Sequence, residues 1–185
     1  MNILAIIPAR GGSKRLNKKN IYPIWGQPMI HWAIKSCKDS QFNIKVCVST
    51  DNTEIKKISK SYDAVVHNRS KELSNDSSYK QAAIRSAAKW YENKFEPQDI
   101  YISLQANSPQ IKSHHIDLGI NTLIKYNRDE IFSVDKNLMQ NAAFRIFRKN
   151  YVFQEDLSTN CGAVICEVKD VHDINDIKEL EKKKR

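Results

Sequence analysis

The 185-residue sequence has no long hydrophobic run, only five glycines and five prolines, and no closely spaced cysteine pair. No segment approaches the ~20 apolar residues of a membrane-spanning helix, which argues against a membrane protein and predicts a cytoplasmic one. Without a Gly/Ser-rich or Pro-rich linker there is no sign of a domain boundary, so residues 1–185 are predicted to form one domain. The cysteines match neither a C-x-x-C motif nor a zinc site, and we expect reduced, mostly buried thiols at Cys37, Cys47, Cys161 and Cys166.

The charge is strongly positive, with 30 Lys and Arg against 21 Asp and Glu and a formal net charge of +9. Such a balance is compatible with a nucleic-acid-binding protein. The basic residues are spread over the whole chain, however, and this favours a solvated lysine-rich surface over a nucleic-acid groove. We therefore predict no nucleic-acid partner and keep a basic nucleic-acid binder as the weakest of three hypotheses.

Short apolar runs alternate with segments of helical period. This pattern predicts an α/β fold in which a mostly parallel, twisted sheet carries helices on both faces. The predicted strands are Ile3 to Ala9, Ile44 to Ser49, Ala64 to Val66, Ile100 to Gln105, Glu130 to Val134 and Gly162 to Val168. The predicted helices begin near Pro28, after the cap Asp51 to Thr53, after the cap Asp76 to Ser78, and near Ser113. Residues 135–160 have no clear period, and we expect a small hairpin there, either projecting or packed.

The most informative segment is Ile7 to Arg15, reading IPARGGSKR, which directly follows an apolar run. It combines a predicted buried strand with a loop that has two adjacent glycines, Gly11 and Gly12, between basic residues. Backbone N–H groups at glycines can approach a phosphate that no side chain blocks. The loop therefore predicts a ligand with several phosphates, although a plain turn with solvated basic residues is the alternative.

Further polar segments follow the other predicted strands. In an open parallel sheet, the loops after the carboxyl ends of the strands form the binding crevice. This rule places four segments along one edge, namely Arg10 to Asn20, Thr50-Asp51, Arg69 to Asp76 and Gln105 to Ser108. We expect the functional residues to lie mostly there.

Several motifs occur in order over nearly the whole chain: IPARGGSK with Lys19-Asn20, STD at Ser49 to Asp51, RSKEL at Arg69 to Leu73, LQANSP at Leu104 to Pro109, and HDIND at His172 to Asp176. With these motifs the chain resembles the sugar-acid cytidylyltransferases, and especially their acylneuraminate branch. The resemblance implies a nucleotide-diphospho-sugar transferase-like fold. It also implies a Mg²⁺-dependent reaction in which CMP passes from CTP to an acidic keto-sugar and pyrophosphate is released.

The resemblance also implies roles for particular residues. The triphosphate would be held by Arg10, Gly11, Gly12, Ser13 and Lys14, with Lys19 and Asn20 completing the nucleotide site, and Arg69 would lie beside the cytosine. Gln105 would lie near the reacting hydroxyl, so that the catalytic set is Arg10, Lys14, Lys19 and Gln105. Asp173 and Asn175 would hold Mg²⁺. From the residues alone, Arg69 could be a surface residue, Gln105 could cap the sheet, and Asp173 and Asp176 could cap a helix.

The chain departs from the family pattern at four places. Asn175 replaces a metal-binding carboxylate, Ile111 replaces an arginine, Lys80 stands where a base-contacting serine is expected, and residues 135–160 are shorter than the dimerisation insertion. The leading hypothesis is an active cytidylyltransferase, in which a homodimer is possible. The second hypothesis is a family member without catalysis that binds a nucleotide or a partner protein.

Overall fold

The computed structural model describes residues 1–75, 79–154 and 158–183. Within these residues the strands are β1 (Ile3–Pro8), β2 (Pro23–Ile24), β3 (Gln27–Pro28), β4 (Ile44–Thr50), β5 (Val65–Asn68), β6 (Ile100–Leu104), β7 (Glu130–Val134), β8 (Gln140–Arg148) and β9 (Cys161–Ile165). β2 and β3 form a separate ribbon, and the others form one seven-stranded sheet in the order β5-β4-β1-β6-β8-β7-β9. β8 runs antiparallel to both of its neighbours, whereas the other neighbouring pairs are parallel. The mostly parallel sheet is confirmed.

The helices are α1 (Met29–Lys38), α2 (Thr53–Ser61), α3 (Lys80–Lys94), α4 (Ser113–Lys125), α5 (Lys149–Val152) and α6 (Ile174–Glu181). The predicted cap of α2 is confirmed, because the Asn52 side chain accepts a hydrogen bond from the Ile55 amide at 3.0 Å. The predicted cap of α3, Asp76 to Ser78, lies outside the described residues, and the helix begins at Lys80 after Tyr79.

Both faces of the sheet are covered by helices because successive residues of the apolar strands point to opposite sides. Ala5 and Ile7 of β1 pack in the same core cluster as α1 and α4. Leu4 and Ile6 of the same strand pack in a second cluster with α3 and α5. The sheet is thereby buried on both sides, and its carboxyl-terminal edge remains for the loops.

β8 was not among the predicted strands. Its position in the sheet shows that the expectation of a projecting hairpin is wrong. β7 and β8 do form an antiparallel pair, but β8 lies inside the sheet between β6 and β7. Its polar residues obscured the strand pattern. Arg145 is an example: its guanidinium pairs with the buried Glu130 of β7 and lies 4.9 Å from the Phe147 ring. A strand-interior cation is compensated here by a partner that is distant in sequence.

The thiols follow the expectation for three of the four cysteines. Cys37, Cys47 and Cys166 are buried, and burial raises the pKa of each thiol to about 12. Cys161 is exposed at the start of β9. Among the described residues, no helix combines the length and the apolar character needed to cross a bilayer.

Candidate functional site

A cleft of about 410 Å³ lies at the carboxyl-terminal edge of the sheet. It brings together most of the site residues expected from the sequence, namely Arg10, Ser13, Lys14, Lys19, Asn20, Arg69 and Gln105. Further lining residues include Asn75, Lys80, Asn107 and His172. The loops after β1, β5 and β6 thus meet at one place, as the rule for parallel sheets predicts.

The loop from Arg10 to Asn20 is closed on itself. The Asn20 side-chain amide donates to the Arg10 carbonyl at 2.9 Å, and Asn20 is buried. Lys18, which has a left-handed backbone (φ 53°), forms an ion pair with Glu54 of α2 at 2.8 Å. The loop is therefore anchored at its end and alongside α2.

The two glycines of this loop have different surroundings. The Gly11 amide donates to the Asp51 carboxylate at 2.9 Å, and a Cβ at Gly11 would lie 2.9 Å from the Cβ of Asn52. Gly12 has nothing within 4 Å of an added Cβ. Neither glycine is among the residues that line the cleft. Gly11 is thus needed for close packing against the start of α2, whereas Gly12 borders open space.

Arg10 and Arg69 hold the wall of the cleft formed by residues 69–75. Arg69 Nε donates to the Leu73 carbonyl at 2.7 Å, and a terminal nitrogen of the same guanidinium donates to the same carbonyl. Arg10 donates to the Ser74 carbonyl at 3.4 Å. Burial is the main cause of a lowered pKa at Arg69. Two cations are therefore fixed at this wall by backbone acceptors.

Lys19 lies among charges of both signs. Burial lowers the pKa of its ammonium, Arg15 and Arg10 lower it further, and the carboxylates of Asp170 and Asp176 raise it. An anion that neutralised the neighbouring arginines would favour the charged form of Lys19. The electrostatics of this end of the cleft therefore favour a polyanionic ligand.

Gln105 and Lys80 also line the cleft. The Lys80 ammonium donates to Gln105 Oε1 at 2.8 Å and to the Ala142 carbonyl of β8 at 3.4 Å. Burial lowers the pKa of Lys80 to about 8, while Asp170 acts in the opposite direction. Lys80 is thus a half-buried cation that contacts the predicted catalytic glutamine.

The segment 169–173 is bound to the LQANSP loop. Asn107 forms two hydrogen bonds with Val171. Its side-chain amide donates to the Val171 carbonyl at 2.8 Å, and its backbone carbonyl accepts from the Val171 amide at 2.8 Å. Ser108 Oγ donates to the Asp170 carboxylate. Asp170 therefore lies where its charge acts on both Lys19 and Lys80. Sequence reasoning missed Asp170, because nothing in the sequence links it to a loop about 60 residues earlier.

Asp173 and Asn175 are not brought into the cleft lining. Asp173 is the N-cap of α6, where its carboxylate accepts from the Asn175 amide at 2.7 Å. The Asp176 carboxylate accepts from the amides of His172 and Asp173, and these bonds lower its pKa. The capping alternative for Asp173 and Asp176 is therefore confirmed. In the described part of the chain, no group of three or more His, Cys, Asp or Glu could hold a metal ion.

Ile111, where the resemblance predicts an arginine, is fully buried in the same core cluster as Ile116 and Ile120 of α4. It belongs to the core and not to the cleft. A charged residue at this backbone position would have to leave the core to reach a ligand. An isoleucine instead of the expected arginine therefore contributes to the packing of the core and not to the cleft.

The chain is thus an α/β protein with a cation-lined cleft at the carboxyl-terminal edge of a mostly parallel sheet. The family model described as cytidylyltransferase matches residues 4–181, and the chain belongs to this family.

Two curated relatives are similar in sequence. N-acylneuraminate cytidylyltransferase A of Danio rerio is 38% identical over 133 residues, which cover 72% of this chain and 30% of that protein. Pseudaminic acid cytidylyltransferase of Campylobacter jejuni is 28% identical over 158 residues, covering 84% of this chain and 68% of that protein. The chain thus spans less than a third of the zebrafish relative.

A solved structure of CMP:2-keto-3-deoxy-manno-octonic acid synthetase complexed with CTP has the same fold. The TM-score is 0.77 at 15% identity, and the match covers 98% of each chain. At this identity the likeness concerns the fold alone. It confirms the predicted fold class, including the layered arrangement around the sheet.

Proposed function

We propose that this chain is a cytidylyltransferase that transfers CMP from CTP to an acidic keto-sugar of the acylneuraminate type. The observation that carries the proposal is that residues of the Arg10 to Asn20 loop and Gln105 line one and the same cleft. Arg10, Lys14 and Lys19 give one side of this cleft the charge that a triphosphate requires. Gln105 gives the other side a neutral amide that can orient a hydroxyl group.

In the proposed reaction, the anomeric hydroxyl oxygen of the sugar attacks the α-phosphorus of CTP. The bond between that phosphorus and the bridging oxygen to the β-phosphorus breaks, pyrophosphate leaves, and the hydroxyl proton passes to a phosphate oxygen of the pyrophosphate. Transfers of this kind depend on positioning and on neutralising the charge that develops on phosphate oxygens. Arg10, Lys14 and Lys19 would neutralise that charge, and Gln105 would orient the attacking oxygen.

Mg²⁺ is part of the proposal, and the positions of the carboxylates decide which residue fits it. None of Asp170, Asp173 and Asn175 is among the residues that line the cleft. Asp173 caps α6 and Asn175 is exposed, whereas the charge of Asp170 acts on Lys19 and Lys80, which do line it. Mg²⁺ is commonly held by one or two carboxylates together with substrate phosphates. Asp170 would therefore hold the ion with the nucleotide. When bound, the ion would supply positive charge to the phosphate oxygens.

The test is calorimetry with CTP followed by pyrophosphate release with CTP, Mg²⁺ and a panel of sugar acids. We expect CTP binding and release with at least one of N-acetylneuraminate, pseudaminic acid and 3-deoxy-manno-octulosonate. CTP binding without release for any of them would favour the second hypothesis of a nucleotide-binding protein without catalysis. Absence of CTP binding would overturn both.

The cytoplasmic location and the homodimer stay predictions. Cell fractionation tests the location, and light scattering of the purified chain tests the oligomeric state. A single-chain mass in light scattering would contradict the homodimer.

A further inference from the structure

The contact between Lys80 and Gln105 determines which way the glutamine amide faces. An ammonium group has only donors, so the atom of Gln105 that meets it at 2.8 Å must be the carbonyl oxygen Oε1. The NH₂ group of the same amide is then directed away from Lys80. A glutamine held in this orientation offers donors to a ligand.

Lys80 lines the same cleft as the Arg10 to Asn20 loop, but the loop cations are not among the charges that act on it. The charges that act on it come from Asp170 and from Arg145 of β8. Arg145 is itself paired with the buried Glu130. Within the described residues, the two hydrogen bonds of Lys80, to Gln105 and to the Ala142 carbonyl, account for two of its three N–H groups.

A ligand group at this wall therefore meets the Gln105 NH₂ donors beside an ammonium ion. Groups of this kind are matched by an anion with more than one acceptor oxygen, such as a carboxylate. The triphosphate is matched by the cations of the Arg10 to Asn20 loop. If CTP binds to those cations, the anionic group left for Lys80 is the carboxylate of the acidic sugar.

We propose that Lys80 and Gln105 form the subsite that recognises the carboxylate of the sugar acid. Lys80 supplies charge and fixes the amide, and Gln105 supplies the donors. The inference rests on the proposed function, since it assigns a substrate group to one wall of the proposed active site. It gives the departure at Lys80 a role in specificity.

The experiment compares each sugar acid with its methyl ester, which has the same ring but lacks the negative charge. Lys80→Met removes the charge while keeping the length of the side chain, and Lys80→Arg retains the charge. Lys89→Met is the matched control, because Lys89 is an exposed lysine of the same helix. The readouts are KM and kcat for each substrate and the Kd of CTP by calorimetry, with circular dichroism to verify folding.

We expect Lys80→Met to raise KM for the acid about 10- to 100-fold, the range for a lost charge-assisted hydrogen bond. KM for the ester and the Kd of CTP should stay within about twofold, and Lys80→Arg should recover most of the affinity for the acid. An unchanged ratio of acid to ester KM in Lys80→Met would overturn the subsite, as would a loss of CTP affinity instead.

The wild-type protein separates this inference from the proposed function. If it binds no CTP and releases no pyrophosphate with any acid, the proposed function fails and the subsite fails with it. If it binds CTP but neither turns over nor binds any acid in calorimetry, the subsite is overturned while the nucleotide site stands. Turnover by wild type together with an acid-selective defect in Lys80→Met supports both.

Discussion

The side-chain amide of Asn20 donates to the backbone carbonyl of Arg10 at 2.9 Å and so closes the loop. Asn20 is buried. Removal of its side chain would therefore leave the Arg10 carbonyl without this donor and without full access to water. An unsatisfied buried acceptor costs about 1–3 kcal/mol. The closed loop is therefore both a stability feature and a preorganised part of the cleft.

Asn20→Ala should lower the free energy of unfolding by about 1–3 kcal/mol, because the Arg10 carbonyl loses its donor. The Kd of CTP should rise by about tenfold if ~1.4 kcal/mol of loop preorganisation is lost. Urea denaturation and calorimetry measure the two effects. Asn17→Ala, at an exposed position of the same loop, is the control. Equal behaviour of the two variants would contradict the structural role of Asn20.

The two glycines of the loop should respond differently to alanine. In Gly11→Ala the new Cβ would lie too close to Asn52, which cannot move freely because it caps α2. We expect a loss of about 1–3 kcal/mol in the free energy of unfolding, as for other overpacked sites. Gly12→Ala should leave stability nearly unchanged, because nothing lies within 4 Å of the added Cβ. If the Gly12 amide binds phosphate, as the resemblance implies, CTP binding should become weaker. Thermal unfolding and CTP titration of both variants test this, and a destabilised Gly12→Ala would refute it.

Asp170 and Asp173 should separate the metal role from the capping role. Asp173→Ala should lower the free energy of unfolding by about 0.5–2 kcal/mol through loss of the α6 cap, without changing the Mg²⁺ dependence of CTP binding. Asp170→Ala should reduce that Mg²⁺ dependence. Calorimetric titrations of CTP with and without Mg²⁺ compare the two variants. If Asp173→Ala abolished the Mg²⁺ effect and Asp170→Ala did not, the assignment of Asp170 would be wrong.

Lys80 should lower stability at neutral pH. Its ordinary pKa of 10.5 falls to about 8 in the folded protein, mainly through burial. Below pH 8 both states are protonated, and the folded state bears the cost of desolvating the charge. Between pH 8 and 10.5 the folded state releases its proton first, so the free energy of unfolding increases with pH.

Lys80→Met should therefore raise the free energy of unfolding at pH 7 by about 1–2 kcal/mol, and the gain should disappear near pH 10.5. Urea denaturation of wild type and variant at both pH values measures it. Lys89→Met, on the exposed part of the same helix, should show no such pH-dependent gain. A stabilisation that persisted unchanged at high pH would show that desolvation of the Lys80 charge is not its source.

Elements that depend on short-range sequence patterns could be predicted from the sequence. Buried parallel strands such as β1 appear as continuous apolar runs, and the Asn52 cap is a short-range signal, so both could be predicted. β8 was missed because Arg145 interrupts its apolar pattern and is neutralised by Glu130, a partner that the pattern does not identify. Its neighbours in the sheet also depend on pairing that has no local signature.

The residues of the candidate site also differ in whether a local sequence pattern locates them. The Arg10 to Asn20 loop could be located because it follows a predicted strand, and Gln105 because it ends one. Asp170 could not, since its place depends on hydrogen bonds between the segment 169–173 and the LQANSP loop. Asp173 has the local signature of a cap, and the structure follows that signature.

The position of β8 has a consequence for how the protein folds. β8 follows β7 in the chain yet lies between β6 and β7 in the sheet, so β7 and β9 cannot complete the sheet until β8 inserts. The block β5-β4-β1-β6 requires no such insertion. Because Gln105 and Lys80 both bond to the 142–143 segment of β8, their wall of the cleft should form last. Pulsed hydrogen exchange should protect β1 and β4 before β7 and β9.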